Sequence, residues 1–243
     1  MIKQILSVGL KKIGYKIQKI SRHDDFNPFT MEGALQRCTD RGLNVNTVID
    51  VGASDGRWSK ICMKYLPNAR YILIEAQEAH RKGLELFKSE NNNVEYILAA
   101  AGNKNGLIYF DNSGLFGGLA SETPFENNCI EIPVITIDEE IKRLNLQPPY
   151  LIKLDTHGYE KAILDGAIET LKNAELIIVE TYNYQLTNDS LKYYELSEFM
   201  SKLGFSSIEM VDLLLREYDC SLWQMDTFYI PTKRKEFSHN SYK

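Results

Sequence analysis

One apolar run constrains this chain more than any other feature. Val48-Ile-Asp-Val-Gly-Ala-Ser-Asp-Gly56 ends a strand in an acid and turns at once through two glycines. Such a turn admits close backbone approach by a ligand, because glycine has no Cβ to intrude. A second apolar run, Tyr71-Ile-Leu-Ile74, is followed by Glu75, where an acid can accept hydrogen bonds from ribose hydroxyls. Together the two runs describe a nucleoside site at the C-terminal edge of a parallel sheet. The spacing Gly52-x-x-x-Gly56 is not the G-x-G-x-x-G that cradles a pyrophosphate. Asp50 and Asp55 would repel a pyrophosphate but tolerate a cationic, phosphate-free nucleoside such as S-adenosylmethionine. The expected cofactor contacts are Asp50, Gly52, Ala53, Gly56, Glu75 and Ala76. The alternative is that the two glycines merely make a tight strand-to-helix turn, a reading that Glu75 weakens further.

The chain has 243 residues, 44% of them hydrophobic and 25% charged, which suits a globular protein with a full core. A net charge of −5 gives no electrostatic case for a nucleic-acid partner. Cys38, Cys62, Cys129 and Cys220 form no C-x-x-C pair, so neither a zinc site nor a disulfide framework is expected. No apolar run approaches a bilayer span, and nothing resembles a signal peptide. The expected compartment is the cytoplasm.

Residues 1–40 read as an N-terminal helical appendage, 41–235 as the catalytic domain and 236–243 as a tail. Up to His23 the chain carries Lys3, Lys11, Lys12, Lys16, Lys19 and Arg22 and no acid. Ile2, Leu6, Leu10, Ile13, Ile17 and Ile20 recur at spacings of three or four, the pattern of one helix face. Docking on the chain's own catalytic domain is expected for this segment. Contact with an anionic membrane through residues 1–22 is the alternative. After Asn27-Pro28, Thr30–Arg41 reads as a short helix.

From Val45 onward, strands and helices alternate, which predicts a doubly wound, mostly parallel α/β sheet closed by an antiparallel hairpin over 205–230. Residues 106–137 break that rhythm. Two short strands there flank the polar, glycine-rich loop Asn112–Asn128, expected to be a lid with hinges at Gly114, Gly117 and Gly118. Asp50, Glu75, Asp155 and Glu180 all fall at strand C-terminal ends and should gather on one edge. A single helix is expected over Lys161–Leu171. His157 reads as the one histidine near that edge, with His80 opening a surface helix.

The second motif is Leu151-Ile-Lys-Leu-Asp-Thr-His-Gly-Tyr-Glu-Lys-Ala-Ile-Leu-Asp-Gly166. With V-I-D-V-G-A-x-x-G, the later I-I-V-E and Q-M-D-T-F-Y-I, it resembles the FkbM family of S-adenosylmethionine-dependent methyltransferases over about Thr47 to Ile230. The resemblance implies a seven-stranded, Rossmann-like class I methyltransferase sheet. It also implies O-methylation of a sugar, glycan or natural-product acceptor. The family block has a glutamate where this chain has His157.

Methyl transfer from a sulfonium needs an aligned acceptor oxygen and, for an alcohol, a base within reach. Asp155, also beside the cofactor, and His157 are the candidates. Lys153 and Glu160 are expected to orient them, and Glu180 to hold an acceptor hydroxyl. No metal is expected, although Asp155, His157 and Glu180 are also a donor set for a divalent ion. An NAD-dependent oxidoreductase and a non-catalytic nucleoside-binding module are the other classes open to this pattern.

Overall fold

Apolar side chains alternate between two cores along each central strand. A computed structural model describes residues 29–242. The expectations for residues 1–22 therefore lie outside the described residues. The elements are α1 (Met31–Asp40), β1 (Thr47–Val51), α2 (Arg57–Cys62), β2 (Arg70–Glu75), α3 (Arg81–Glu90) and β3 (Val94–Leu98). There follow β4 (Ala100–Ala101), β5 (Gly106–Asp111), β6 (Leu119–Ser121), β7 (Cys129–Ile135) and α4 (Ile137–Arg143). The chain continues through β8 (Tyr150–Leu154), α5 (Glu160–Asp165), α6 (Ile168–Leu171), β9 (Ala174–Tyr182) and α7 (Tyr193–Lys202). It closes with β10 (Phe205–Leu215) and β11 (Leu222–Pro231).

The main sheet has seven strands in the order β10-β11-β9-β8-β1-β2-β3. Val48, Tyr71 and Leu73 face a first core with Leu35 of α1, Cys62 of α2 and Leu84 of α3. Ile49, Ile72 and Ile74 face a second core with Ile137 of α4, Ile163 of α5 and Met200 of α7. A period of two with apolar residues on both faces gives strands that read as continuous hydrophobic runs. The expected mostly parallel, doubly wound sheet is in fact a mixed one. β3, β2, β1, β8 and β9 pair in parallel, whereas β11 pairs antiparallel with both β9 and β10.

Two further differences have local causes. The two short strands expected within 106–137 pair as β5 and β7 and form part of a second sheet, β4-β7-β5-β6, with β6 drawn from inside the expected lid. The expected helix Lys161–Leu171 is split into α5 and α6. A Cβ at Gly166 would lie 2.0 Å from the Gly102 carbonyl oxygen, so the chain turns there against the neighbouring strand connection. Helix α1 sits in the first core through Met31, Ala34, Leu35 and Cys38. The Glu209 carboxylate of β10 holds it, 2.8 Å from Arg37 and 2.7 Å from Arg41. Among the described residues, no helix is long and apolar enough to cross a membrane.

Candidate active site

The turn after β1 is built around one contact. Gly52 has φ +77°, and a Cβ there would lie 1.9 Å from the Asp155 carbonyl oxygen at the end of β8. Only glycine fits, so the two sequence motifs meet backbone to backbone. The turn stays in register because Gly52 N–H donates to Ile74 O (2.9 Å) and Asp155 N–H donates to Val51 O (2.9 Å). A cavity opens above this edge. Its walls include Gly52, Ala53, Glu75, Ala76, Asp155 and His157.

The expected cofactor residues divide by position. Glu75 is buried, and its carboxylate accepts from Ser54 N–H and Gln77 N–H, both at 2.7 Å. Two backbone donors fix its orientation and leave lone pairs free for a diol. Asp50 lies below the turn, fully buried, accepting from the Ser59 hydroxyl at 2.6 Å. Burial pushes its carboxyl up to about 6, against the pull of Lys153. Gly56 opens α2 and lies against Phe87. Trp58 of α2 also lines the cavity, and its buried Nε1 has no hydrogen-bond partner. A cradle that a side chain would fill and an orphaned donor beside it both fit a bound nucleoside with an acceptor group.

The second group forms where β8, β9 and β11 end. Lys153 is buried, with its ammonium 2.8 Å from Asp155 Oδ2 and 3.8 Å from Asp226 Oδ1. Burial alone would raise the Asp155 carboxyl, but the Lys153 charge and hydrogen bond, together with His157 and Glu180, hold it below the usual range. Asp226 lacks a hydrogen bond at Oδ1, and burial pushes it up to about 7 despite Lys153. Glu180 accepts from the Tyr182 hydroxyl and from Gln224 Nε2. His157 sits at φ 51°, with Nδ1 2.6 Å from the Tyr182 hydroxyl and 3.2 Å from Glu180, and Nε2 3.1 Å from Phe116 O.

The Phe116 carbonyl only accepts, so Nε2 donates to it. With Tyr182 donating to Glu180, Nδ1 faces a hydroxyl oxygen and a carboxylate, surroundings that favour the imidazolium form. Burial opposes that state, but the bond and charge of Glu180 outweigh it and raise the His157 value.

Glu160 stands apart from this group. It is buried, accepts from Gly158 N–H (2.7 Å) and Thr156 Oγ1 (3.2 Å), and closes the turn that carries His157. His80 is not on a surface helix. It is buried, lines the cavity, and donates from Nε2 to Leu115 O at 2.8 Å. Gln77 Nε2 donates to Gly114 O (2.8 Å) and Leu115 O (3.1 Å). With His157 on Phe116 O, three side chains fasten the 114–116 segment over the cavity. Gly118 packs closely on Phe110: a Cβ there would lie 2.2 Å from the ring. Sequence reasoning gave no role to Gln77, His80, Tyr182, Gln224 or Asp226. Gln224 and Asp226 had a usable signal, since alternation along β11 puts both on the face that meets Glu180 and Lys153.

The glycine turn and the buried Glu75 lie at the C-terminal edge of a mixed seven-stranded sheet, the architecture of the methyltransferase class. A family profile, Methyltransferase FkbM domain, matches residues 50–219, and the chain belongs to that family. Among solved structures it is similar to the FkbM methyltransferase of Methylobacillus flagellatus KT, at 17% identity and a TM-score of 0.49. That match covers 75% of this chain and 43% of the other, so this chain spans less than half of that protein. It is also similar to a putative O-methyltransferase from Klebsiella pneumoniae, at 12% identity, TM-score 0.47 and coverages of 94% and 88%. A third is the N-terminal domain of EvdMO1 in the presence of SAH and D-fucose, at 9% identity, TM-score 0.47 and coverages of 95% and 97%. No curated protein matches.

Proposed function

We propose that this chain is an S-adenosylmethionine-dependent O-methyltransferase acting on a hydroxyl of a sugar, glycan or natural-product acceptor. The observation that carries the reading is the meeting of Gly52 with Asp155, which sets an ionised carboxylate at the floor of a nucleoside-type cradle. When bound, S-adenosylmethionine supplies an electrophilic methyl group on a sulfonium. Gly52, Ala53 and Ala76 shape its bed, Glu75 takes the ribose hydroxyls, and Trp58 Nε1 offers a donor. Asp155 receives the acceptor's proton on Oδ1, because Lys153 holds Oδ2. His157, as a cation, is a poor base; it orients Glu180 and the 114–116 segment. Glu180 accepts from a second acceptor hydroxyl. The excess of carboxylates over cations on this edge suits a positively charged cofactor.

The test uses labelled methyl transfer to a panel of glycans and natural-product alcohols. Asp155→Asn should slow transfer by roughly 10²–10⁴-fold while cofactor affinity barely changes. Full activity in that variant ends the assignment. A metal-dependent reading has its own observation: donor atoms of Asp155, His157 and Glu180 lie within 4.8 Å of one another. Activity lost with a chelator and restored by magnesium would make these residues ligands for an ion that grips vicinal hydroxyls.

A further inference from the structure

Lys153 brings a buried ammonium to the catalytic edge, and one hydrogen bond does not satisfy its three donors. That bond goes to Asp155 Oδ2 at 2.8 Å. Asp226 Oδ1 stands 3.8 Å from the same nitrogen, enclosed and without a hydrogen-bond partner. A buried acceptor left in this way calls for a reason. The strands account for its placement. Lys153 pairs with Ile178 of β9, and Ile178 pairs with Phe228 of β11. Ile178 and Phe228 face the first core, as does Leu151, two residues before Lys153. Alternation puts Asp226, two residues from Phe228, on that same face and nearer the catalytic edge. Carboxylates from β8 and β11, which are not neighbours in the sheet, therefore flank one ammonium. The other groups around it are Asp50 of β1, Asp212 of β10 and the Trp58 ring of α2, 5.9 Å from the ammonium. Burial works against the charge, but Asp155, and after it Asp226, outweigh burial and raise the Lys153 value.

We propose that Asp226 is a positioning residue for methyl transfer: it draws the Lys153 ammonium away from Asp155, so that Lys153 binds Oδ2 alone and leaves Oδ1 open to the acceptor's proton. This role rests on that of Asp155 as the base. Without Asp226, the nearest charge left to the ammonium is Asp155, and the ammonium would settle across both of its oxygens. A purely structural role gives Asp226 little to do. An apolar side chain of similar size would fill the same place without the cost of desolvating a carboxyl. Neutralising Lys153 does not require it either, because Asp155 already offers an ionised carboxylate at 2.8 Å. What Asp226 adds is a second pull from the opposite side, and that pull decides where the ammonium rests.

Asp226→Asn in the full chain tests this, because it keeps the shape and removes the charge. The first readout is the nuclear magnetic resonance signal of the Lys153 ammonium nitrogen in the free protein, assigned by its loss in Lys153→Arg. That signal should shift in Asp226→Asn, as the ammonium moves onto Asp155. The second readout is kinetic, with labelled methyl transfer to a hydroxyl acceptor from the panel. In Asp226→Asn kcat should fall by roughly 10–10²-fold, the scale of a misplacement of up to about 1 Å. KM for cofactor and for acceptor should hold. Asp226→Leu, which fills the place without charge, should lose kcat to the same extent. An ammonium signal that does not move in Asp226→Asn overturns the proposal. So does a wild-type kcat in either variant, or a loss that falls on KM instead of kcat. If no acceptor in the panel is methylated, the O-methyltransferase reading fails, and the ammonium signal still decides whether Asp226 holds Lys153.

Discussion

Glu75 and Trp58 offer the cavity opposite halves of a hydrogen bond, and the two can be tested separately. Glu75→Ala removes a charged acceptor that two backbone donors hold in place. It should cost about 1.5–3 kcal/mol of S-adenosylmethionine affinity, measured by titration calorimetry. Trp58→Phe keeps the ring and deletes only the orphaned Nε1. It should cost roughly 1 kcal/mol of affinity and leave the apo melting temperature unchanged, since nothing in the free protein uses that donor. Gly52→Val reads from the sequence as a lesion in binding alone. The contact with Asp155 O is to backbone, so this variant should lose both cofactor binding and thermal stability. A stable Gly52→Val protein with intact affinity would contradict the cradle.

At the scale of elements, the 112–128 segment is the least regular part of the catalytic edge, and its fastening is lopsided. Gln77, His80 and His157 all bond carbonyls within 114–116, whereas 119–121 is a strand paired with β5. Hydrogen exchange should therefore divide the segment. Amides near Leu119–Ser121 should be protected in the free protein, and those of 113–117 only when cofactor and acceptor are bound. Equal protection throughout would make it a static hairpin. The strands of the main sheet were legible in the sequence because β-branched and aromatic runs end in acids or glycines. The hairpin expected over 205–230 forms as Phe205–Leu215 and Leu222–Pro231. Of the second sheet, β5 and β7 were legible as the two short strands, but β6 was not, because Leu119–Ser121 is only three half-buried residues inside a glycine-rich segment. His80 was misplaced for a similar reason. A helix start carries no sign of which wall it faces until the loop across from it is known.

For the molecule as a whole, stability near neutral pH depends on two groups that shift in the same direction. His157 is raised by Glu180, so its contribution is full below the ordinary imidazole value of about 6.5 and is lost as pH rises through the folded value. Asp226 is an acid raised from 3.8 to about 7 by burial, so the fold favours its neutral form and loses stability as pH rises from the ordinary carboxylate value to about 7, with no further change above it. The melting temperature should therefore fall in two stretches, one from the acid side up to about pH 7 through Asp226 and one starting above about 6.5 through His157. His157→Gln should remove one and Asp226→Asn the other. A flat profile in the wild type would show that neither group is perturbed in solution.

The contact between Gly52 and Asp155 also sets an order of assembly. β1 and β2 are made early in synthesis, but the wall that completes the cradle belongs to β8, about a hundred residues later in the chain. A nascent chain that has released its first two strands holds the glycine turn with nothing behind it. Cofactor therefore cannot nucleate this fold. It can only draw the equilibrium toward chains whose two distant motifs have already met, by mass action on the finished state.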